Sequence, residues 1–195
     1  MSSNPSKKIV VAVDLDEVVY RYCDGLRDWL RTERGIVVPD EEPSSWSMSE
    51  AGWFNSTEEY QAAHGEAVDD GLYTKLELYP DAAKTLWGMS KAGYSLNIIT
   101  SRFVLPGQNQ KVVEQTVQAL DRDRIPYDNI SFLSDKTLQF ADAYIDDSPR
   151  NVSALLDCGR FVICRTMSYN QATDAPVRAT TWAETRQILR DKFGR

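Results

Sequence analysis

Two aspartates one residue apart, Asp14 and Asp16, follow directly on the apolar run Ile9-Val10-Val11-Ala12-Val13. Two further strand-like runs end in residues of related chemistry. Ser95-Leu96-Asn97-Ile98-Ile99 leads into Thr100-Ser101-Arg102, and Ala143-Tyr144-Ile145 leads into Asp146-Asp147, with Lys136 shortly before. Carboxylates brought together repel one another, so either some take up protons or a cation joins them. Hard oxygen ligands without histidine or thiolate favour magnesium, which commonly bridges protein carboxylates to phosphate. Lys136 would add a second positive charge. Thr100 and Ser101 offer hydroxyls and backbone N–H groups to phosphate oxygens at a loop-to-helix turn. The set reads as phosphoryl transfer. Asp14 is the candidate nucleophile, forming an aspartyl phosphate while metal and lysine neutralise the phosphoryl oxygens. Asp16 is the candidate acid and base, protonating the departing alkoxide and then deprotonating the water that cleaves the intermediate.

These residues act together only if their strands are neighbours. A valine-rich apolar run without polar alternation, too short for a helix, reads as a strand buried on both faces, and ligands bind at the carboxyl ends of such parallel strands. Further strands are expected at 130–133 and 160–164. Helices are expected over 17–34, ending at Gly35, then from Pro80-Asp81 to Gly93, about 109–120, 149–156 and 182–192. This alternation implies right-handed crossovers and an α/β fold, a Rossmann-like three-layer parallel sheet. The connection from 133 to 143 is near the lower limit for a crossover.

Between 36 and 78 the composition changes: Pro39, the acidic Asp40-Glu41-Glu42, Pro43, a serine-rich turn, then Trp46, Trp53 and Phe54. Such a break suggests an insertion. Within it, Ser56-Thr57-Glu58-Glu59 opens a helix reaching about residue 70 and carrying His64, which is taken as structural or exposed. Trp53 and Phe54, beside Gly52, are candidates to stack on a nucleobase, a contact worth ~1–3 kcal/mol, although a small insertion also needs aromatic bulk for its own core. Arg102 is a candidate to hold a phosphate or nucleotide edge, or an arginine on the surface at a helix start. Trp29, Trp87 and Trp182 fall at helical core positions and are assigned to packing.

With 22 basic against 29 acidic residues and a net charge of −7, the 195-residue chain is ill suited to polymeric nucleic acid, which needs a basic stripe. A small anionic substrate is compatible with it, because a local cation can override the overall field. Cys23, Cys158 and Cys164 are widely spaced and odd in number, which suggests neither a disulfide framework nor a zinc site. Residues 1–8 have no signal-peptide core, and no stretch has the length of a membrane span, so a cytoplasmic location without membrane contact is expected. Charge and aromatic content leave a homodimer open.

The motifs resemble those of the haloacid dehalogenase (HAD)-like phosphatases. Asp14-Leu15-Asp16-Glu17-Val18 is similar to the first, Ile99-Thr100-Ser101 to the second, Lys136 to the third and Asp146-Asp147 to the fourth. The resemblance implies Mg²⁺ held by the Asp14 side chain, the Asp16 backbone carbonyl and Asp146, with Asp147 assisting through water. Asp135-Lys136-Thr137 followed by Tyr144-Ile145-Asp146-Asp147-x-Pro149, and Leu78-Tyr79-Pro80-Asp81-Ala82, are most similar to the 5′(3′)-deoxyribonucleotidases. That likeness implies a core of residues 1–19 and 79–195, a small helical cap at 20–78 inserted after the first strand, and a nucleoside monophosphate substrate. Three residues depart from the pattern: Glu17 stands for an expected Gly, Arg102 for Pro and Ser148 for a basic residue. They motivate an alternative, a phosphatase for a sugar phosphate or other small metabolite. A non-catalytic phosphate-binding module is disfavoured by the complete motif set, and a dehalogenase would need neither Asp16 nor magnesium.

Overall fold

The computed structural model describes residues 8–194. The stretch 1–7, read above for a leader, lies outside them. In chain order the elements are β1 (Ile9–Val13), α1 (Tyr22–Glu33), α2 (Thr57–Asp69), α3 (Leu72–Lys75), α4 (Ala82–Lys91) and β2 (Tyr94–Thr100). They continue with α5 (Asn109–Arg122), β3 (Asn129–Phe132), β4 (Ala143–Asp146), α6 (Pro149–Asp157), β5 (Val162–Arg165), β6 (Arg178–Ala179) and α7 (Trp182–Phe193). The six strands form one sheet in the order β3-β2-β1-β4-β5-β6, and every pairing is parallel. This is the expected α/β architecture.

The valine-rich β1 lies at the middle of the sheet, with Val11, Ala12 and Val13 all buried. Its register against Leu96–Ile98 on one side and Ala143–Ile145 on the other brings the ends of β1, β2 and β4 level. The Asp14 N–H extends that ladder by donating to the Ile145 carbonyl at 3.0 Å. The motif-bearing ends are therefore neighbours by register.

The short link from β3 to β4 starts at the same edge. A single helical turn, Lys136–Leu138, sits there, and the chain then returns along the sheet. The return is pinned by Ala141 N–H donating to the Tyr144 hydroxyl and by a two-way bond between Val10 and Asp142. That turn is what allows so short a crossover and leaves Lys136 at the strand ends.

Helix α1 begins at Tyr22 rather than at residue 17. Glu17 adopts φ 55°, and the Leu15 carbonyl accepts from the N–H groups of Val18, Val19 and Tyr20, closing a tight loop that no helix can run through. The loop passes directly into the insertion. Tyr20 and Leu78 form an antiparallel bridge, flanked by Arg21 N–H to the Glu77 carbonyl and Tyr79 N–H to the Val19 carbonyl, both 2.9 Å. The chain leaves and rejoins the sheet domain at one place. In between, α1 buries Tyr22, Cys23, Leu26, Trp29 and Leu30 on one face, and α2 starts at Ser56, which caps the Glu59 N–H. Two elements escape a periodicity reading because they are too short to show a period: α3 and β6.

One packing assignment is corrected. Trp87 is half exposed on α4, where its indole N–H donates to the Arg124 carbonyl, whereas Trp29 and Trp182 are buried as expected.

His64 is buried between two phenols, with Nδ1 2.7 Å from the Tyr22 hydroxyl and Nε2 3.3 Å from that of Tyr73. Burial lowers its pKa from 6.5 to about 4. Between those values the unfolded chain binds a proton that the folded chain refuses, so this histidine stabilises the fold above pH 6.5 and loses that contribution as the pH falls. Equilibrium denaturation of the His64→Gln variant should show a shallower loss of stability over this interval, by up to ~1.4 kcal/mol per pH unit.

Candidate active site

At the ends of β1 and β4, Asp14, Asp146 and Asp147 are all buried and each offers a carboxylate oxygen within 4.8 Å of the others. The Lys136 ammonium lies between two of them, 2.7 Å from Asp14 Oδ1 and 2.7 Å from Asp146 Oδ2. Asp146 Oδ1 accepts the Ser148 N–H at 3.0 Å and the Asn151 side-chain amide at 3.3 Å. Asp147 accepts from the Tyr169 hydroxyl through its side chain and from the Asn170 amide through its carbonyl. Tyr169 and Asn170 carry no motif. They follow a strand end, and that position alone was available to flag them.

Three buried carboxylates against one ammonium leave an excess of negative charge. Burial, reinforced by Asp146 and Asp16 and opposed by Lys136, raises the Asp14 pKa to about 7. Burial, with Asp14 and Asp146 beside it, also raises Asp147 well above the usual carboxylate range. Burial alone would lower the Lys136 pKa, but the charges of Asp14 and Asp146 raise it. A hard oxygen donor set with surplus negative charge and no soft ligand fits a divalent cation.

The second motif divides its roles. The Thr100 side chain is buried and its Oγ1 has no hydrogen-bond partner, whereas the Ser101 hydroxyl donates to the Leu133 carbonyl at 2.7 Å. A buried hydroxyl left unpaired is costly.

Arg102 is neither on the surface nor open to a phosphate. Its guanidinium grips Asp16 with two parallel bonds, Nε to Oδ2 at 2.9 Å and Nη2 to Oδ1 at 2.6 Å, and Nη1 donates to Thr116 Oγ1 at 3.0 Å. Nor are Trp53 and Phe54 open aromatic faces in this structure. Both are buried in the insertion's core, with the Arg27 guanidinium 5.1 Å above the Trp53 ring and Phe54 tilted against Tyr60 at 5.6 Å between centroids. The structure therefore brings together Asp14, Lys136, Asp146 and Asp147, joins Asp16 to Arg102, and leaves the two cap aromatics inside the insertion.

Residues 7–193 match the family of the 5′ nucleotidase, deoxy (pyrimidine), cytosolic type C protein (NT5C). The chain belongs to this family. It is 36% identical, over 97% of its length and 93% of the relative's, to a Chlorobaculum tepidum protein described as a "putative 5′(3′)-deoxyribonucleotidase". A haloacid dehalogenase-like family hydrolase from Streptococcus pneumoniae shares the fold with a TM-score of 0.65 at 16% identity, covering 93% of this chain and 98% of that one. A HAD family hydrolase from Deinococcus radiodurans, solved with bound phosphate and sodium, superimposes with a TM-score of 0.60 at 14% identity, covering 94% and 96%. The protein is thus a member of the NT5C nucleotidase family with a HAD-like fold. Glu17 takes the left-handed conformation expected of glycine, and its carboxylate accepts the Cys23 N–H at 2.6 Å and the Tyr79 hydroxyl.

Lys136→Met would leave buried like charges without their cation. In chelator this NT5C-family variant should lose about 3–5 kcal/mol in an unfolding titration, part of it recovered on adding a divalent cation.

Proposed function

We propose that this protein is a magnesium-dependent 5′(3′)-deoxyribonucleotidase working through an aspartyl phosphate, in the cytoplasm, with residues 20–78 acting as a cap over a core of 1–19 and 79–195. The observation that carries the reading is Asp14: a buried carboxylate at the end of the central strand, paired with Lys136 and with an oxygen within 4.8 Å of carboxylate oxygens of Asp146 and Asp147. Asp14, Asp146, Asp147 and the Asp16 carbonyl would hold the ion, which when bound supplies positive charge against the phosphoryl oxygens.

The remaining steps belong to the chain. Asp14 attacks phosphorus, the P–O ester bond breaks, and the departing oxygen takes a proton from the Asp16 carboxyl. Water then attacks the phosphorus of the acyl phosphate and gives its proton to Asp16. The Asp14–phosphorus bond breaks, releasing inorganic phosphate and restoring both aspartates. Lys136 holds the Asp14 carboxylate in line and supplies positive charge beside the developing transition state. Thr100 Oγ1 donates to a phosphoryl oxygen, and the Ser101 backbone N–H supports it. Stacking on the base is proposed for Trp53 and Phe54, both of which are packed into the insertion's core here. The departures at Glu17, Arg102 and Ser148 favour testing sugar phosphates as a second substrate class.

Asp14→Asn should abolish phosphate release while leaving the melting temperature near that of the parent in chelator. Full activity in that variant would exclude the covalent route. A panel of phosphomonoesters ranked by kcat/KM, with and without Mg²⁺, should place deoxynucleoside 5′-monophosphates first, and a higher rank for sugar phosphates would reassign the substrate. Thr100→Val removes a hydroxyl that bonds nothing in the folded chain, so stability should hold or rise. The kcat/KM should nevertheless fall about ten- to a hundredfold, the worth of a hydrogen bond to a charged group.

A further inference from the structure

We infer that Arg102 is a positioning residue for Asp16, setting the plane of the carboxyl that exchanges protons with substrate and water, and that it takes its own orientation from Thr116 in α5 and Tyr73 in the insertion. The inference rests on the acid–base role proposed for Asp16. The side chain of Arg102 is 1% exposed, that of Asp16 27%. One partner is therefore sealed in and the other keeps a face toward solvent.

Every bond of the guanidinium contributes to that arrangement. Nε and Nη2 each take one Asp16 oxygen, which removes the carboxyl's freedom to rotate, while each oxygen retains lone pairs for a proton. Nη1 is anchored on Thr116 in α5, whose own hydroxyl proton goes to the Val112 carbonyl at 2.6 Å. The plane of the fork lies against Tyr73, with the guanidinium carbon 4.1 Å from the ring centroid. Tyr73 is held in turn by its backbone N–H on Gln115 and by its hydroxyl at His64. Asp16 is thus oriented by a strand-end arginine wedged between α3 of the insertion and α5 of the sheet domain. Lysine could supply the charge at this position but not the planar fork.

A pair that merely ties two elements together makes a different prediction from one that aims a proton donor. As Asp14 attacks, the electron pair of the breaking P–O bond passes to the ester oxygen. An alkoxide must receive a proton from Asp16, whereas p-nitrophenolate leaves without one. Misaligned Asp16 therefore slows formation of the aspartyl phosphate from an alkyl ester and spares it from p-nitrophenyl phosphate.

The experiment is rapid-quench and stopped-flow measurement of the first half-reaction with a deoxynucleoside 5′-monophosphate and with p-nitrophenyl phosphate, in Mg²⁺. The enzymes compared are the parent, Asp16→Asn, Arg102→Ala and Arg102→Lys. Both Arg102 variants should cleave the nucleotide ~10²-fold more slowly, the lower end of what a positioned acid contributes, with KM and the p-nitrophenol burst close to the parent's. They should reproduce the Asp16→Asn profile in weaker form. Added guanidinium ion should restore Arg102→Ala, and methylammonium should not. Should Arg102→Ala fail to fold, Thr116→Val, which removes only the Nη1 anchor, should show the same leaving-group-selective loss at smaller size. Equal slowing of both substrates, no slowing of either, or full activity in Arg102→Lys would overturn the positioning role. A parent enzyme that releases phosphate from neither substrate would instead overturn the phosphatase reading itself.

Discussion

A single ammonium, wedged between two buried carboxylates with a third alongside, sets the terms for this molecule. Burying like charges is among the most expensive things a fold can do, and here it is tolerated because Lys136 neutralises part of the excess and protons or a divalent ion can take the remainder. The parallel register of β1, β2 and β4 delivers the groups, and the brief turn at Lys136–Leu138 delivers the cation. The site is a frustrated spot held by a rigid sheet, which is where functional groups are expected to collect.

Around this centre the departures from the family pattern prove to be structural as well as chemical. Glu17 stands in a conformation that costs a side-chain-bearing residue roughly 1–3 kcal/mol. It is offset by two hydrogen bonds, from the Cys23 amide on the way into the insertion and from Tyr79 on the way out. Arg102, in place of an imino acid, adds a charged strut between the insertion and the sheet. Both residues fasten the insertion to the loop that bears Asp14 and Asp16. Ser148 does something plainer: it caps the Asn151 N–H at the start of α6, a helix-opening role that a basic side chain would not fill.

Much of this was readable in the amino-acid text. The valine run and the acidic residues after it, the Pro149 helix start and the glycine at 93 each reflect a strong local preference, and each lies where that preference puts it. What could not be read depends on contacts between distant segments. Nothing in the run around Arg102 says that its guanidinium will find Asp16, because the two meet across 86 residues of chain. Tyr169 and Asn170 reach Asp147 from a single helical turn, Ser168–Asn170, too short to show a period. Trp53 and Phe54 fit both a core and a binding face by sequence, since aromatic residues on an irregular turn satisfy either need equally until their neighbours are known. Trp87 went astray for the opposite reason: a helical period marks a face, and half-exposed indoles on that face's margin look identical to buried ones.

The antiparallel bridge between Tyr20 and Leu78 has a wider meaning. Because the excursion starts and finishes on adjacent residues, the sheet experiences it as though it were a tight hairpin, and lengthening such a loop raises the entropy of closure only logarithmically. Evolution can therefore exchange this whole module for another of different size and shape at slight cost to the catalytic platform. Substrate range can then diversify while the reaction chemistry stays put.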